Sequence, residues 1–341
     1  MDRVLAGRVF REEAERAGFV RVGIARAETP PRFERYRRWI GEGRHAGMGY
    51  LAETMEIRET PSSLLPGARS VVCLAFPHGA AAPEAGDGSR VARYAAGGDY
   101  HWSLKERAAS AAEGTLARIG PFRYRVCVDS APLPERSLAA AAGIGWIGKN
   151  GCLIDEAHGS FLLLAEILTD LDLPPDEPIA ERCGSCTRCL TACPTEAFLE
   201  PGLLDASRCI AYWTIEHRGA VPDEIKPALA EHVFGCDVCQ EVCPWNAALS
   251  SDFGFRISDS EPVPTRREWL EMGPGAWRRN WGATALSRAG RRGVQRNAAI
   301  SAGVTGDQSA LPALQRAAVT AEPGLADAAS WALRRLHAGA P

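Results

Sequence analysis

Several features that would assign this chain to a common class are missing from it. No apolar run approaches the roughly 20 residues that a membrane-spanning helix requires. Residues 1–10 interrupt their apolar side chains with charges where a signal peptide would carry an unbroken hydrophobic segment. Arg37-Arg38 precedes no apolar stretch, so it reads as a solvated helix face and not as an export signal. A soluble, cytoplasmic protein without a membrane partner is expected. Net charge is scarce too, −3 over 341 residues, which leaves no global electrostatic argument for nucleic acid or a membrane surface. The distribution is less even than the sum. Residues 155–181 contain no Lys or Arg, and residues 272–306 contain no acid while carrying Arg278, Arg279, Arg288, Arg291, Arg292 and Arg296. A Gly-x-Gly-x-x-Gly turn after a strand is also absent. Gly143-Ile-Gly145-Trp-Ile-Gly148 approximates the spacing, but it follows a helical pattern and runs into Lys149-Asn150, so no dinucleotide fingerprint is read there.

What is abundant is cysteine in a fixed pattern. Cys183-Gly-Ser-Cys186-Thr-Arg-Cys189-Leu-Thr-Ala-Cys193-Pro194 has the C-x2-C-x2-C-x3-C-P spacing with which ferredoxins hold iron and sulfide. The tight gaps let three thiolates converge on one cubane, while the fourth reaches a second cluster. Cys236-Asp-Val-Cys239-Gln-Glu-Val-Cys243-Pro244 supplies a partner half that lacks its first cysteine, because Val233 occupies that position. Cys209 is the nearest unassigned thiol. Crossed ligation then gives Cys183, Cys186, Cys189 and Cys243 to one 4Fe-4S cluster, and Cys209, Cys236, Cys239 and Cys193 to the other. Structural zinc also uses Cys-x2-Cys pairs, but the repeated x2-x2-x3-Pro run is not a zinc-ribbon pattern. Disulfides explain such clustering less well than metal chemistry.

The length leaves room for two or three domains, so the clusters serve something larger. Leu5, Val9, Phe10, Ala14 and Ala17 recur at helical spacing before the short apolar segment 19–24. Residues 70–76 and 160–168 read as buried strands, and residues 79–90 as a loop. Ser103 with Glu106 suggests a capping box for a helix that Gly120-Pro121 ends. A strand over 122–128 delivers Asp129 at its end, and Pro132 and Pro134 open a short helix that closes near Gly143. Helices alternating with strands to about residue 170 argue for an α/β domain. Cys73, Cys127 and Cys152 read as buried apolar thiols. Beyond Trp277, apolar residues recur in successive short amphipathic helices.

Val128-Asp129-Ser-Ala-Pro-Leu-Pro-Glu135-Arg136, followed by Ala142-Gly-Ile-Gly-Trp146-Ile-Gly-Lys149-Asn150, resembles the epoxyqueuosine reductase family. So do Arg93-Tyr94-Ala-Ala-Gly-Gly-Asp99-Tyr100-His101, Ile215-Glu-His217-Arg218-Gly219, the segment 236–246 and the tail 277–302. The resemblance implies three parts: a nitroreductase-like, cobalamin-binding α/β catalytic domain (1–174), a ferredoxin-like module with two 4Fe-4S clusters (175–250) and, after a connecting segment (251–275), an all-α HEAT-like tail (276–341). It implies reduction of the epoxide of epoxyqueuosine to queuosine at the wobble base of tRNA, by cob(I)alamin fed from the two clusters. By the same resemblance Asp129 is the proton donor. An aspartate with an ordinary pKa of roughly 3.9 is ionised at neutral pH, so burial against the corrin is expected to raise that value. The bland alternative is an Asp that caps the next helix. Arg58, Tyr94, Lys149 and Asp129 are expected to line cobalamin, with Ala211, where many relatives carry Ser, close to corrin or substrate. His101 and His217 are not assigned to cobalt. His217, Arg218 and the six tail arginines are expected on the tRNA, held at its anticodon stem. A flavodoxin or ferredoxin system would donate electrons to a monomer.

A corrinoid reductive dehalogenase acting on a small molecule shares the cobalamin-plus-two-clusters plan. It would commonly begin with a twin-arginine signal and need no basic tail. A ferredoxin-type electron carrier with no active site of its own is the third reading, and bound corrinoid with turnover would exclude it.

Overall fold

The computed structural model describes residues 2–78, 84–95, 97–247 and 262–339. The expected loop 79–90 and connecting segment 251–275 therefore lie partly outside the described residues. The first 170 residues build a four-stranded sheet from β1 (Arg21–Arg26), β2 (Ser70–Pro77), β3 (Tyr124–Cys127) and β4 (Leu162–Thr169). The order is β1–β2–β4–β3, and every pairing is antiparallel. Alternation of helices and strands is present, but the parallel pairing that an α/β alternation suggests is not. β2 is buried along nearly its whole length, as its unbroken apolar run requires when both faces are covered.

Helices α1 (Arg3–Arg16) and α2 (Tyr100–Ile119) cover one face. There Phe10, Ala14, Leu104, Ala108 and Ala112 meet Ile24, Val72, Leu74 and Ile167. Leu5, expected on the inner face of α1, is 40 % exposed. The short α3 (Glu135–Ala141) covers the other face, where Leu138 and Ala139 meet Val71, Cys73, Cys127 and Leu168. The expected Ser103–Glu106 capping box does not form. α2 begins at Tyr100, and its cap is Asp99, whose carboxylate accepts from the His101 N–H. Gly120 ends α2 at φ 93, a conformation that favours glycine.

The cysteine module docks through a parallel pairing of Arg90–Val91 with His232–Phe234. Val233 is fully buried in that strand, so core packing occupies the position where a first cysteine would stand. The C-terminal helices are α4 (Gly290–Thr305), α5 (Leu311–Ala318) and α6 (Pro323–Ala338). α4 is not the amphipathic surface helix expected: every residue from Val294 to Gly303 is buried, between His232–Phe234 on one side and α6 on the other. Gly303 permits that approach, since a Cβ there would lie 2.7 Å from the Ala332 backbone. The helix Arg266–Glu271, inside the expected connecting segment, also packs on α4, with Gln295 Nε2 donating to the Leu270 carbonyl. Among the described residues no helix is long and apolar enough to cross a membrane.

Candidate active site between the sheet and the cysteine module

Cys183, Cys186, Cys189 and Cys243 line one cavity of about 230 Å3. That is the crossed set, with Cys243 arriving from the second half. A cavity of this size suits a polyatomic cluster, and among the described residues no three His, Cys, Asp or Glu side chains converge on a single-ion site. Cys209, Cys193 and Cys236 are electrostatic neighbours in the other set; burial first, then those thiols, push Cys236 up to about 12. Burial, then Cys152, Cys236 and Cys209, likewise raise Cys239. Bringing such thiols together as thiolates requires the positive charge of iron. Lys149, expected against cobalamin, sits here instead. Its Nζ donates to the carbonyls of Gly184 (2.5 Å) and Cys186 (3.0 Å), because the turn after Trp146–Ile147 faces the first cysteine loop.

A second, much larger cleft of about 950 Å3 lies between the sheet and the module. Leu162, Leu163 and Leu164 contribute an apolar floor, and Arg58, Tyr94, Asp129 and Ala211 all line the cleft. Cys209 lines it too, which brings the second cysteine set to the wall of the cleft. An apolar cleft of this volume, with a cluster ligand in one wall and a proton-bearing group in another, fits a large planar redox cofactor. Cys152 is not a core thiol but half-buried in this cleft, and burial pushes it up to about 11.

Asp129 follows β3 in a left-handed conformation, φ 46, uncommon for a residue with a side chain. Its Oδ2 accepts from Tyr100 Oη at 2.9 Å and meets His101 Nε2 at 2.8 Å. His101 Nδ1 lies 2.6 Å from Asp99 Oδ1. The N-terminus of α2 therefore supplies three consecutive residues to one network. Burial works to raise the Asp129 pKa, but the His101 hydrogen bond and charge, the Tyr100 hydroxyl and Arg288 outweigh it, and the carboxyl is held below its usual range. This reverses the expected elevation. The His101 pKa is raised, chiefly by its hydrogen bond to Asp129 and, against burial, by Asp99. Both shifts favour a proton on His101 and a bare carboxylate on Asp129. Sequence reasoning quoted Asp99-Tyr100-His101 but missed its role, because the cap was sought at Ser103.

The residues assigned to tRNA divide. Arg278, Arg279 and Arg292 are exposed. Arg288 stands at the cleft mouth, paired with Glu216 at 2.7 Å and lying over the Tyr50 ring. Arg218 is exposed but folds back on the carbonyls of Ile215 and Glu216 and on Arg288. Arg291 turns inward to the Met272 carbonyl and Gln295. Arg296 is no phosphate ligand: 3 % exposed, it donates to the carbonyls of Trp213, His217 and Gly219. His217 is likewise committed to its own loop, with Nε2 2.8 Å from the Ala220 carbonyl and its ring 4.4 Å from Trp213.

With this geometry in view, similarity to known proteins is informative. Residues 58–130 match the family model for epoxyqueuosine reductase QueG, and residues 182–246 match that for a 4Fe-4S double cluster binding domain. An epoxyqueuosine reductase of Xanthomonas campestris is 40 % identical over 316 residues, 90 % of this chain and 89 % of that protein. That of Escherichia coli K12 is 35 % identical over 87 % of this chain and 81 % of its own length. Among solved structures, an epoxyqueuosine reductase with an epoxyqueuosine-modified tRNA-Tyr stem loop superposes with a TM-score of 0.88 at 31 % identity, over 96 % of this chain and 89 % of the other. A Bacillus subtilis epoxyqueuosine reductase with its catalytic aspartate loop swung out of the active site gives 0.88 at 30 %, over 96 % and 90 %. Extended over nearly the whole chain and joined to the double cluster module, these likenesses make the protein a member of the epoxyqueuosine reductase family.

Proposed function

We propose that this chain reduces epoxyqueuosine in the anticodon loop of tRNA to queuosine, with the 950 Å3 cleft as its catalytic chamber. The reaction consumes two electrons and two protons and releases the epoxide oxygen as water. The observation that carries the reading is the position of Cys209 and the Asp129–His101 pair in walls of the same cleft. Cobalamin, when bound in this cleft, would supply a strongly reducing metal centre for cleavage of the carbon–oxygen bond. Arg58, Tyr94 and the leucine floor would hold the corrin. Ala211 contributes shape but no hydrogen bond.

A leaving alkoxide needs an acid. The proton held on His101 Nε2 passes to Asp129 Oδ2, and from there to the oxygen. Asp99 keeps the imidazole oriented while this happens, and Tyr100 restrains the carboxyl. The cluster of Cys209 stands nearer the cleft and is the one that delivers electrons; the cluster of Cys183 receives them from a flavodoxin- or ferredoxin-type donor. A modified wobble base must be splayed from its loop to reach this chamber. We assign the stem phosphates to Arg278, Arg279 and Arg292, with Arg288 at the entrance. The enzyme would act as a monomer in the cytoplasm, where its tRNA substrate is. Family membership favours this reading over a small-molecule dehalogenase. The test is anaerobic reconstitution with iron, sulfide and cobalamin, then nucleoside analysis of epoxyqueuosine-containing tRNA. Queuosine is expected; a reconstituted, reduced protein that leaves the epoxide intact refutes the reading.

A further inference from the structure

A pair of acids beneath Asp129, Glu166 buried and Glu135 half-buried, has no part in that chemistry. Glu166 sits in the middle of β4, its Cα paired with Cys73 on β2 and with Cys127 on β3. All three side chains share the face covered by α3, and Glu166 is fully buried. Among the described residues, neither of its oxygens meets an N–H or O–H donor. Its neighbour is the carboxyl of Glu135, the first residue of α3, within hydrogen-bonding reach. Two carboxyl groups can bond to each other only through a proton that one of them carries. Two bare carboxylates would repel in this apolar layer, since Arg136, the cation beside Glu135, is itself exposed to solvent. Glu135 Oε1 also accepts the backbone N–H of Asp129 at 2.5 Å.

We infer that Glu135 and Glu166 share a proton and together clamp the Asp129 backbone in its left-handed conformation, which aims the Asp129 carboxyl into the cleft. Both are positioning residues, and the inference rests on the reading of Asp129 as the acid. A strained backbone persists only where its surroundings over-determine it. The bond from Glu135 fixes the amide on one side, and Tyr100 and His101 fix the carboxyl on the other.

The groups facing the pair are the Cys73 and Cys127 thiols, Asp129, and Arg136 beside Glu135, with Arg125 next to Cys127. Burial, then the Asp129 charge, push Glu135 up to about 8, and Glu166 is raised further by burial and by Glu135. The sign follows for raised carboxyls. Stability from the shared proton is complete below the ordinary carboxyl range and is lost as pH rises through about 8. Above that the clamp opens and Asp129 loses its aim.

The test is the pH dependence of single-turnover reduction in reconstituted holoenzyme. Wild type should lose rate as pH rises through about 8. Glu166→Gln cannot ionise and still offers a donor to Glu135, so it should move that limb upward by at least about one unit. A limb that stays in place belongs to His101 and overturns the clamp. Glu135→Ala should lower kcat about 100-fold with KM for tRNA nearly unchanged, the loss typical of a misaimed group; a wild-type kcat also overturns it. Should that variant fail to fold, Glu135→Gln, whose carbonyl can still accept the Asp129 N–H, should turn over without the alkaline loss, and retention of that loss counts against the pair. Infrared spectra give a readout free of activity. A protonated carboxylic C=O stretch is expected at neutral pH in wild type and not in Glu166→Gln, and its absence from wild type refutes the shared proton even if the enzyme proves active on another substrate.

Discussion

In the cysteine module, seven of the eight thiols from residues 183–243 reach their positions through gaps of two and three residues, and only Cys209 stands apart. At the Asp129 corner, Asp99, Tyr100, His101, Asp129, Glu135 and Glu166 come from the start of α2, the end of β3, the start of α3 and the centre of β4. The first arrangement is local and tolerates its surroundings. The second exists only when the sheet and both its helix layers are assembled. Metal chemistry can therefore survive damage that leaves the acid misplaced, and the two regions should fail separately.

Breaking the module itself has the largest expected effect. Cys193→Ser should remove the cluster served by Cys209, Cys236 and Cys239, lowering iron from about eight atoms to about four and abolishing turnover. The cluster of Cys183, Cys186, Cys189 and Cys243 should persist in electron paramagnetic spectra. Loss of that cluster in its place would reverse the pairing that the shared cavity supports.

Breaking the corner should leave both clusters intact. Asp129→Asn is expected to bind tRNA normally and reduce the epoxide about 10²- to 10⁴-fold more slowly, as removal of a general acid does. It should also release His101, whose raised pKa depends first on the Asp129 hydrogen bond. In an imidazole NMR titration the wild-type ring should hold its proton above the ordinary histidine range and fall back toward it in the variant. A His101 that titrates identically in both proteins would remove the pair from the proton path.

A third break separates the tail from the segment it supports. Arg296→Ala leaves the carbonyls of Trp213, His217 and Gly219 without their donor inside the protein. At roughly 1–3 kcal/mol for each unsatisfied buried group, a loss of about 3 kcal/mol is expected, read as a lower midpoint in denaturant. Arg296→Lys should recover only part of it, since a single ammonium cannot reproduce the planar fork.

The same contrast explains what was legible in the sequence. The crossed cysteine sets were readable because ligand spacing is a local property. Cys209 was found by elimination, and the buried Val233 explains why it was needed. Strands β2 and β4 were readable because a nearly continuous apolar run, broken in β4 by Glu166, must be covered on both faces. Antiparallel pairing was not, since alternating elements do not state which strands become neighbours. Asp129 was placed at its strand end, but the direction of its pKa depends on His101 from a helix 28 residues earlier in the chain. Lys149 and Arg296 were misjudged for one reason. A long cationic side chain near a glycine-rich turn or in a basic run looks available, and only the fold shows that backbone carbonyls already claim it.

The smallest expected effect concerns the arginines that the fold leaves exposed, of which Arg292 also donates to Gln295 Oε1 at 3.1 Å. Arg278, Arg279 and Arg292 remain exposed at the ends of Pro274–Asn280 and α4, on a stretch without a single acidic residue. Phosphate contacts are sequence-independent and release counterions, each lowering the slope of log K against log salt by somewhat under one unit on a duplex. Replacing the three with Ala should weaken tRNA binding only several-fold at moderate salt, flatten the salt dependence by up to nearly three units (about 0.9 each) and leave the folding midpoint unchanged. Arg291 and Arg296 should not be included, because their side chains are spent on Met272, Gln295 and the 213–219 segment, and their loss would confound binding with stability. An unaltered salt slope in the triple variant would mean that the stem is gripped elsewhere, with Arg288 at the cleft mouth and its neighbour Arg218 the next to test.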